Sequence, residues 1–125
     1  MAPGDRVLCL AIPELSRLEQ ISAAIEHGVL VCIGDRDQVA EGRRAAVHLE
    51  NVMFVPATLD EIPWQEGYFN HILDPAGGWE PTPFICREIA RVLAPGGTAA
   101  LAFPENEPFL QAGLHLREGG LLTKP

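Results

Sequence analysis

Val7-Leu-Cys-Leu-Ala-Ile12, followed by Pro13-Glu14, and then Val29-Leu-Val-Cys-Ile33, followed by Gly34-Asp35, are the stretches that decide the fold. Both apolar runs are short, continuous and rich in branched side chains. Neither alternates with polar residues, so each reads as a strand covered on both faces. Between them Leu15, Leu18, Ile21 and Ile25 recur at steps of three and four, which predicts an amphipathic helix. Pro13 suits its first helical position, Glu14 suits its positive end, and Gly28 suits its close.

The same alternation continues along the chain. Residues 37–48 read as a second helix, rich in Ala and Arg but with a weaker apolar stripe, and residues 51–55 read as a third strand. A fourth strand over residues 69–73 is interrupted by Asn70 and His71. Residues 74–83 hold Pro, Gly and Trp79 and read as an irregular loop. Ile85, Ile89, Val92 and Leu93 mark a third helix, which Pro95-Gly96-Gly97 ends, and a fifth strand follows from Thr98 to Phe103. Residues 104–125 read as a short helix around 107–117 with a frayed Gly-Gly tail. Buried strands joined by helical crossovers lie parallel with right-handed connections, so the expected fold is a three-layer α/β/α sandwich of about five strands. Ligands of such sheets bind at the carboxyl ends of the strands, here near residues 12–16, 34–37, 56–60 and 74–79.

Composition narrows the function. The chain of 125 residues, 47% hydrophobic and 21% charged, suits one domain over residues 1–125 with a single core. No apolar run approaches the roughly 20 residues of a membrane span, and the N-terminus shows no signal-peptide pattern, so a cytoplasmic protein without a membrane partner is expected. Seventeen acidic residues against nine basic ones give a formal charge of -8, which disfavours nucleic acid. Cys9, Cys32 and Cys86 lie inside apolar patterns and are read as buried thiols. No pair among His27, His48, His71 and His115 has the i, i+4 spacing of a helical metal site, so no metal is expected.

Arg87-Glu-Ile-Ala-Arg-Val-Leu-Ala-Pro-Gly-Gly97 before an apolar strand resembles the segment after strand four of class I S-adenosylmethionine-dependent methyltransferases. Leu49-Glu-Asn-Val-Met-Phe-Val55, Leu59-Asp-Glu-Ile-Pro-Trp64 and Gly67-Tyr-Phe-Asn-His-Ile-Leu73 are similar in order and spacing to the ubiquinone/menaquinone-biosynthesis-like (methyltransferase type 11) branch. The likeness runs from about Val7 to Phe103. It implies a Rossmann-like sheet of order 3-2-1-4-5, with S-adenosylmethionine over the ends of strands one to three. The positions it points to for the cofactor are Ala11, Gly34, Asp35, Thr58, Leu59 and Asp74.

The departures from the family pattern bear on function more than the match does. The family's first strand usually ends in an acid and a glycine-rich turn. Here Cys9 replaces the acid, and Ala11, Pro13 and Leu15 stand where glycines belong, so side chains intrude on the space the cofactor needs. The ribose-binding acid aligns with Gly34, with Asp35 one residue late. The adenine-binding acid aligns with Thr58, with Asp60 two residues on, and the acid at the start of strand four is Asn70. The expected outcome is a methyltransferase-like domain that no longer binds the cofactor in the usual way and serves as a binding or interaction module. The alternative is a minimal active methyltransferase on a small molecule, completed by a partner subunit and using Asp35 and Asp60 as displaced anchors.

Other residues carry a functional and a plainer reading. Asp74-Pro75 fits the first two positions of the loop motif of amino-methylating enzymes, but Ala76-Gly77-Gly78-Trp79 departs from it, and a turn is preferred. Trp64 and Trp79 form an aromatic platform at the pocket mouth or pack on the rim of the sheet. His71 lies beside the expected pocket, as a general base or as a hydrogen-bonded core residue. Glu14 is preferred as a helix-start residue over a contact in the cofactor's place. The last 22 residues are not expected to supply the family's two further strands, which leaves the fifth strand as an edge. A homodimer or another protein partner is therefore expected, with the C-terminal segment as the alternative cover.

Overall fold

The computed structural model describes residues 1–102 and 106–125. Its elements run β1 (Arg6–Cys9), α1 (Leu15–Ala24), β2 (Val29–Gly34), α2 (Arg36–Ala45), β3 (Val52–Pro56), β4 (Phe69–Leu73), α3 (Pro83–Val92), β5 (Leu93–Ala100), α4 (Glu107–Gln111), β6 (His115–Leu116) and β7 (Leu122–Thr123). The strands form one sheet of order β3-β2-β1-β4-β5-β7-β6. The first five are mutually parallel, while β7 runs antiparallel to both β5 and β6.

Successive side chains of a strand point to opposite faces, so an unbroken apolar run needs cover on both. Leu8, Leu10, Val31, Ile33 and Ile72 face α3 and α4, where they meet Cys86, Ile89, Val92 and Phe109. Val7, Cys9, Leu30, Cys32 and Phe54 face α1 and α2 and meet Leu18, Ile21, Ile25 and Val39. Each of these larger side chains is worth about 1.5–3 kcal/mol on burial, which makes this pair of layers the main source of stability. A Cβ on Gly42 would stand 2.8 Å from the Phe54 ring, so α2 lies close on β3 because that position has no side chain. No helix among the described residues is long and apolar enough to cross a membrane.

The sheet has seven strands, not about five. Residues 115–116 and 122–123, read from sequence as the end of a helix and a frayed tail, are the two further strands. Thr98 pairs with Thr123 and Ala99 with Leu122, so β5 is an inner strand and needs no second copy to cover its edge. Two-residue strands on either side of a glycine turn are too short for any periodicity to register. The expected helix over 107–117 stops at Gln111, because Gly113 takes a positive φ of 98°.

Boundaries shift elsewhere. Pro13 precedes the N-cap Glu14 and does not open α1, which ends at Ala24, before Gly28. Strand β1 stops at Cys9, and α3 hands over at Val92 to a strand that already contains Pro95-Gly96-Gly97. The expected end of the fifth strand at Phe103 lies outside the described residues. The free edge at β3 is partly closed, since Arg43 Nη2 donates to the Phe54 carbonyl at 3.0 Å and Pro56 has no N–H to offer.

Candidate functional site

The carboxyl ends of β1, β2, β3 and β4 gather the residues singled out by sequence. After β1 the backbone N–H of Leu10 donates to the Leu73 carbonyl at 2.9 Å, which ties the turn to β4. Leu10 is only 5% exposed and sits in the core. Residues 10–13 take no left-handed backbone. Ile12 reaches across to β2, where its Cδ1 lies 3.1 Å from the point a Cβ on Gly34 would occupy. The space beside Gly34, open in a glycine-rich turn, is filled here by a branched side chain.

Asp35 is the N-cap of α2. Its Oδ1 accepts from the Gln38 backbone N–H at 2.8 Å, and the Asp35 N–H donates to Gln38 Oε1 at 2.9 Å. This reciprocal capping box explains the abrupt start of the helix and occupies one carboxylate oxygen. Ala11 stands in the turn between β1 and α1. Thr58 forms a narrow bridge with Glu61, and Leu59 packs on the α3-side core. Asp74 accepts from Gly77 N–H at 2.9 Å and from Ala102 N–H at 3.2 Å, one bond to each oxygen. Asp74 thus organises the loop after β4, in keeping with the turn reading.

Three clefts run along α1. One of about 510 Å³ lies between Ile12, Pro13, Glu14 and Arg17 on one wall and Pro75 and Ala76 on the other. A smaller one of about 130 Å³ continues past Arg17 to Cys9, Leu73, Asp74 and Ala100. The third, about 290 Å³, separates α1 from α2 at Leu15, Leu18, Gln38 and Glu41. The walls of these clefts include Asp74 but not Ala11, Gly34, Asp35, Thr58 or Leu59. Strand order reverses between β1 and β4, where ligands of open α/β sheets bind, and the largest cleft opens there.

His71 is not part of this region. It stands opposite Val7 in the ladder, with Nε2 2.8 Å from Asp5 Oδ2 and Nδ1 2.8 Å from Thr98 Oγ1, so the plainer reading of this residue holds. The tryptophans do not share a platform. Trp64 packs on Tyr68 and Phe69 at 5.8 and 5.7 Å, and Trp79 meets Phe109 edge-on at 6.1 Å. Asn70 uses its Oδ1 to accept from the Arg6 N–H at 2.9 Å and so fastens the start of β1. All three cysteines are buried free thiols. A hydrogen bond in which the Cys32 thiol donates to Cys9, with burial, pushes the Cys32 thiol far up, and burial raises that of Cys86, so neither of these two is poised as a nucleophile.

Sequence reading missed the role of Arg91. Its guanidinium donates to the carbonyls of Trp64 at 2.8 Å and Ile62 at 2.9 Å, and to both oxygens of Glu88, which itself accepts from Ile62 N–H at 2.7 Å. The Glu88–Arg91 pair on α3 clamps the loop that leads to β4. Their spacing of three on a helix was the available signal. Arg17 was also missed, because only the fold shows that α1 and the loop after β4 form one cleft.

No protein-family model matches the chain, and no curated protein matches it. Solved structures do match. A methyltransferase in complex with the Haloferax volcanii Trm112 methyltransferase activator superposes with a TM-score of 0.77 at 21% identity, over 94% of this chain and 65% of that one. A SAM dependent methyltransferase from Aquifex aeolicus gives 0.77 at 18% identity, over 94% and 76%. Geranyl diphosphate C-methyltransferase from Streptomyces coelicolor A3(2), in complex with Mg2+, geranyl diphosphate and S-adenosyl-L-homocysteine, gives 0.75 at 13% identity, over 93% and 56%. The fold is therefore the Rossmann-like fold of S-adenosylmethionine-dependent methyltransferases. The chain spans about two thirds of the first of these structures and just over half of the last.

Proposed function

We propose that residues 1–125 form one methyltransferase-like domain that has lost the usual S-adenosylmethionine turn and acts by binding a protein. The observation that carries this reading is Ile12 against Gly34. The family's glycine turn leaves backbone open to the cofactor, whereas here a branched side chain lies over the end of β2 and Leu10 is drawn into the core. The residues present do not fit the cofactor in its usual pose. A protein partner is supported by the activator complex in which a neighbour of the same fold is found. The motifs over residues 59–64 and 87–97 favour descent from the ubiquinone/menaquinone-biosynthesis-like branch. A cytoplasmic location is part of the reading, supported by three free, buried thiols.

A second reading, a minimal active methyltransferase on a small molecule completed by a partner subunit, is favoured by Asp35. Its Oδ2 takes part in no hydrogen bond among the described residues and is free for a ribose diol, with Asp60 as a second displaced anchor. Thermal melts with S-adenosylmethionine and S-adenosylhomocysteine separate the readings. A ligand at 100 times its dissociation constant adds about 2.7 kcal/mol, a shift of several degrees for a chain of this size. Unchanged melting up to millimolar ligand is expected; a clear shift with either compound overturns the leading reading in favour of the second.

A further inference from the structure

Cys9 closes β1 and stands directly opposite Cys32 in the ladder to β2. Paired residues of neighbouring strands lie about 4.8 Å apart with their side chains on one face, and a disulfide needs Cα atoms roughly 4.4–6.8 Å apart. Both thiols lie in the layer under α1 and α2, 1% and 0% exposed, among Leu18, Ile21, Val39 and Phe54. They are in contact, since the Cys32 thiol donates to Cys9. The third cysteine, Cys86, packs from α3 on the opposite face, so the sheet keeps it away from this pair.

Two features of the pair go beyond packing. Cys9 lines the cleft of about 130 Å³ that runs past Arg17 to Leu73 and Asp74, so one member of the pair borders space open to a small solute. Cys32 does not, and burial and its bond to Cys9 keep it protonated. Just beyond the pair lie the residues that shape the strand ends: Ile12 follows Cys9 in the turn, Gly34 ends β2 after Cys32, and Ile12 Cδ1 fills the space beside Gly34. Burial disfavours a thiolate, whereas a disulfide is uncharged, so this apolar layer can hold the oxidised pair without a buried charge.

We propose that Cys9 and Cys32 form a peroxide-sensitive thiol–disulfide switch at the strand ends. Cys9, which borders the cleft, attacks one oxygen of a hydroperoxide. The O–O bond breaks, and the other oxygen leaves with the thiol proton, as water when the oxidant is hydrogen peroxide, giving a sulfenic acid on Cys9. The Cys32 sulfur then attacks the Cys9 sulfur, the S–O bond breaks, and the hydroxyl leaves as water with the Cys32 proton. Two thiols thus lose two electrons and two protons, and one hydrogen peroxide becomes two waters. A dithiol reductant reopens the bond by exchange. The cross-link pulls on β1 and β2 just before Ile12 and Gly34, so the redox state acts on the contact that fills the strand-end crevice. This holds whether or not that crevice takes S-adenosylmethionine.

The test uses the full chain prepared under reduction, exposed to hydrogen peroxide at neutral pH, then alkylated in denaturant and digested with trypsin. The reduced chain carries three free thiols. The oxidised chain is expected to carry one, at Cys86, and to yield residues 7–17 joined to residues 18–36, two hydrogens lighter than the separate peptides together. Dithiothreitol is expected to restore all three thiols. Amide exchange is expected to change over residues 10–14 and 34–36 and to stay as it was over α3. Cys32→Ala is expected to stop the reaction at a dimedone-reactive sulfenic acid on Cys9; the peptide map is read on the unaltered chain and does not depend on that variant folding. Three thiols retained under peroxide that fully oxidises free cysteine in the same solution overturn the proposal, as does a link through Cys86 or between two chains. A Cys9–Cys32 bond that leaves amide exchange at the strand ends unchanged is no switch and overturns it as well.

Discussion

His71 and Asp5, 66 positions apart in sequence, meet at 2.8 Å through Nε2 and Oδ2, and that contact holds the N-terminal segment against the middle of the sheet. Asp5 Oδ2 also accepts from the Ala2 N–H at 2.8 Å, while Thr98 engages the other ring nitrogen of His71. A residue that the sequence offered either as a general base or as a hydrogen-bonded core residue thus joins β4, β5 and the chain's first turn. Its distance from the clefts follows from the ladder, which puts it opposite Val7 rather than at the strand end.

The Ala2 backbone N–H, and then His71, hold the Asp5 carboxyl below its ordinary range despite some burial. A folded value below the unfolded one means that its contribution is present above about pH 3.8 and is lost as pH falls through the folded value. Asp5→Asn is expected to flatten the fall in melting temperature below pH 4. It should cost about 1–2 kcal/mol at neutral pH, read by denaturant titration.

Removal of the Arg91 clamp frees two carbonyls and leaves the Glu88 carboxylate without its partner. Arg91→Ala is expected to destabilise by about 2–3 kcal/mol. Arg91, ahead of burial, is the main reason that the Glu88 carboxyl lies low, so this pair too gives stability that is complete above about pH 4.5 and fades on acidification. Urea midpoints at several pH values check both statements.

Asp35→Ala breaks the capping box and is expected to cost about 1 kcal/mol, a loss of several degrees in the melt. In the leading reading the melt with S-adenosylmethionine stays unshifted for both proteins. If the parent chain binds the cofactor and Asp35→Ala does not, the displaced-anchor reading stands instead.

Arg43→Ala uncovers the Phe54 carbonyl on the outer side of β3. Folded stability is expected to change by less than about 1 kcal/mol, while aggregation on prolonged incubation rises, because an unblocked edge pairs with other edges. Turbidity against time for the two proteins measures the difference.

Strands β1 and β2 were legible because each buries both faces and leaves an unbroken apolar run, β3 to β5 because shorter apolar runs recur between turn and helix signals, and the helices because leucine and isoleucine recur at helical steps. The last two strands were not, since His115–Leu116 and Leu122–Thr123 show neither run nor alternation and exist only because β5 offers them an edge. At the candidate site, the sequence marked the absence of glycines after β1 but not which side chain takes their space. It also marked Asp35 without showing that Gln38 returns its bond.

By itself the sequence determined the layer architecture, the place of the strand ends and the absence of glycines in the turn after β1, because these depend on local residue type and periodicity. Tertiary structure alone decided that β5 is an inner strand, that His71 stands away from the clefts, that Ile12 lies against Gly34 and that Cys9 stands opposite Cys32. Each of these depends on register and on contacts between residues far apart in the chain, which no local pattern records.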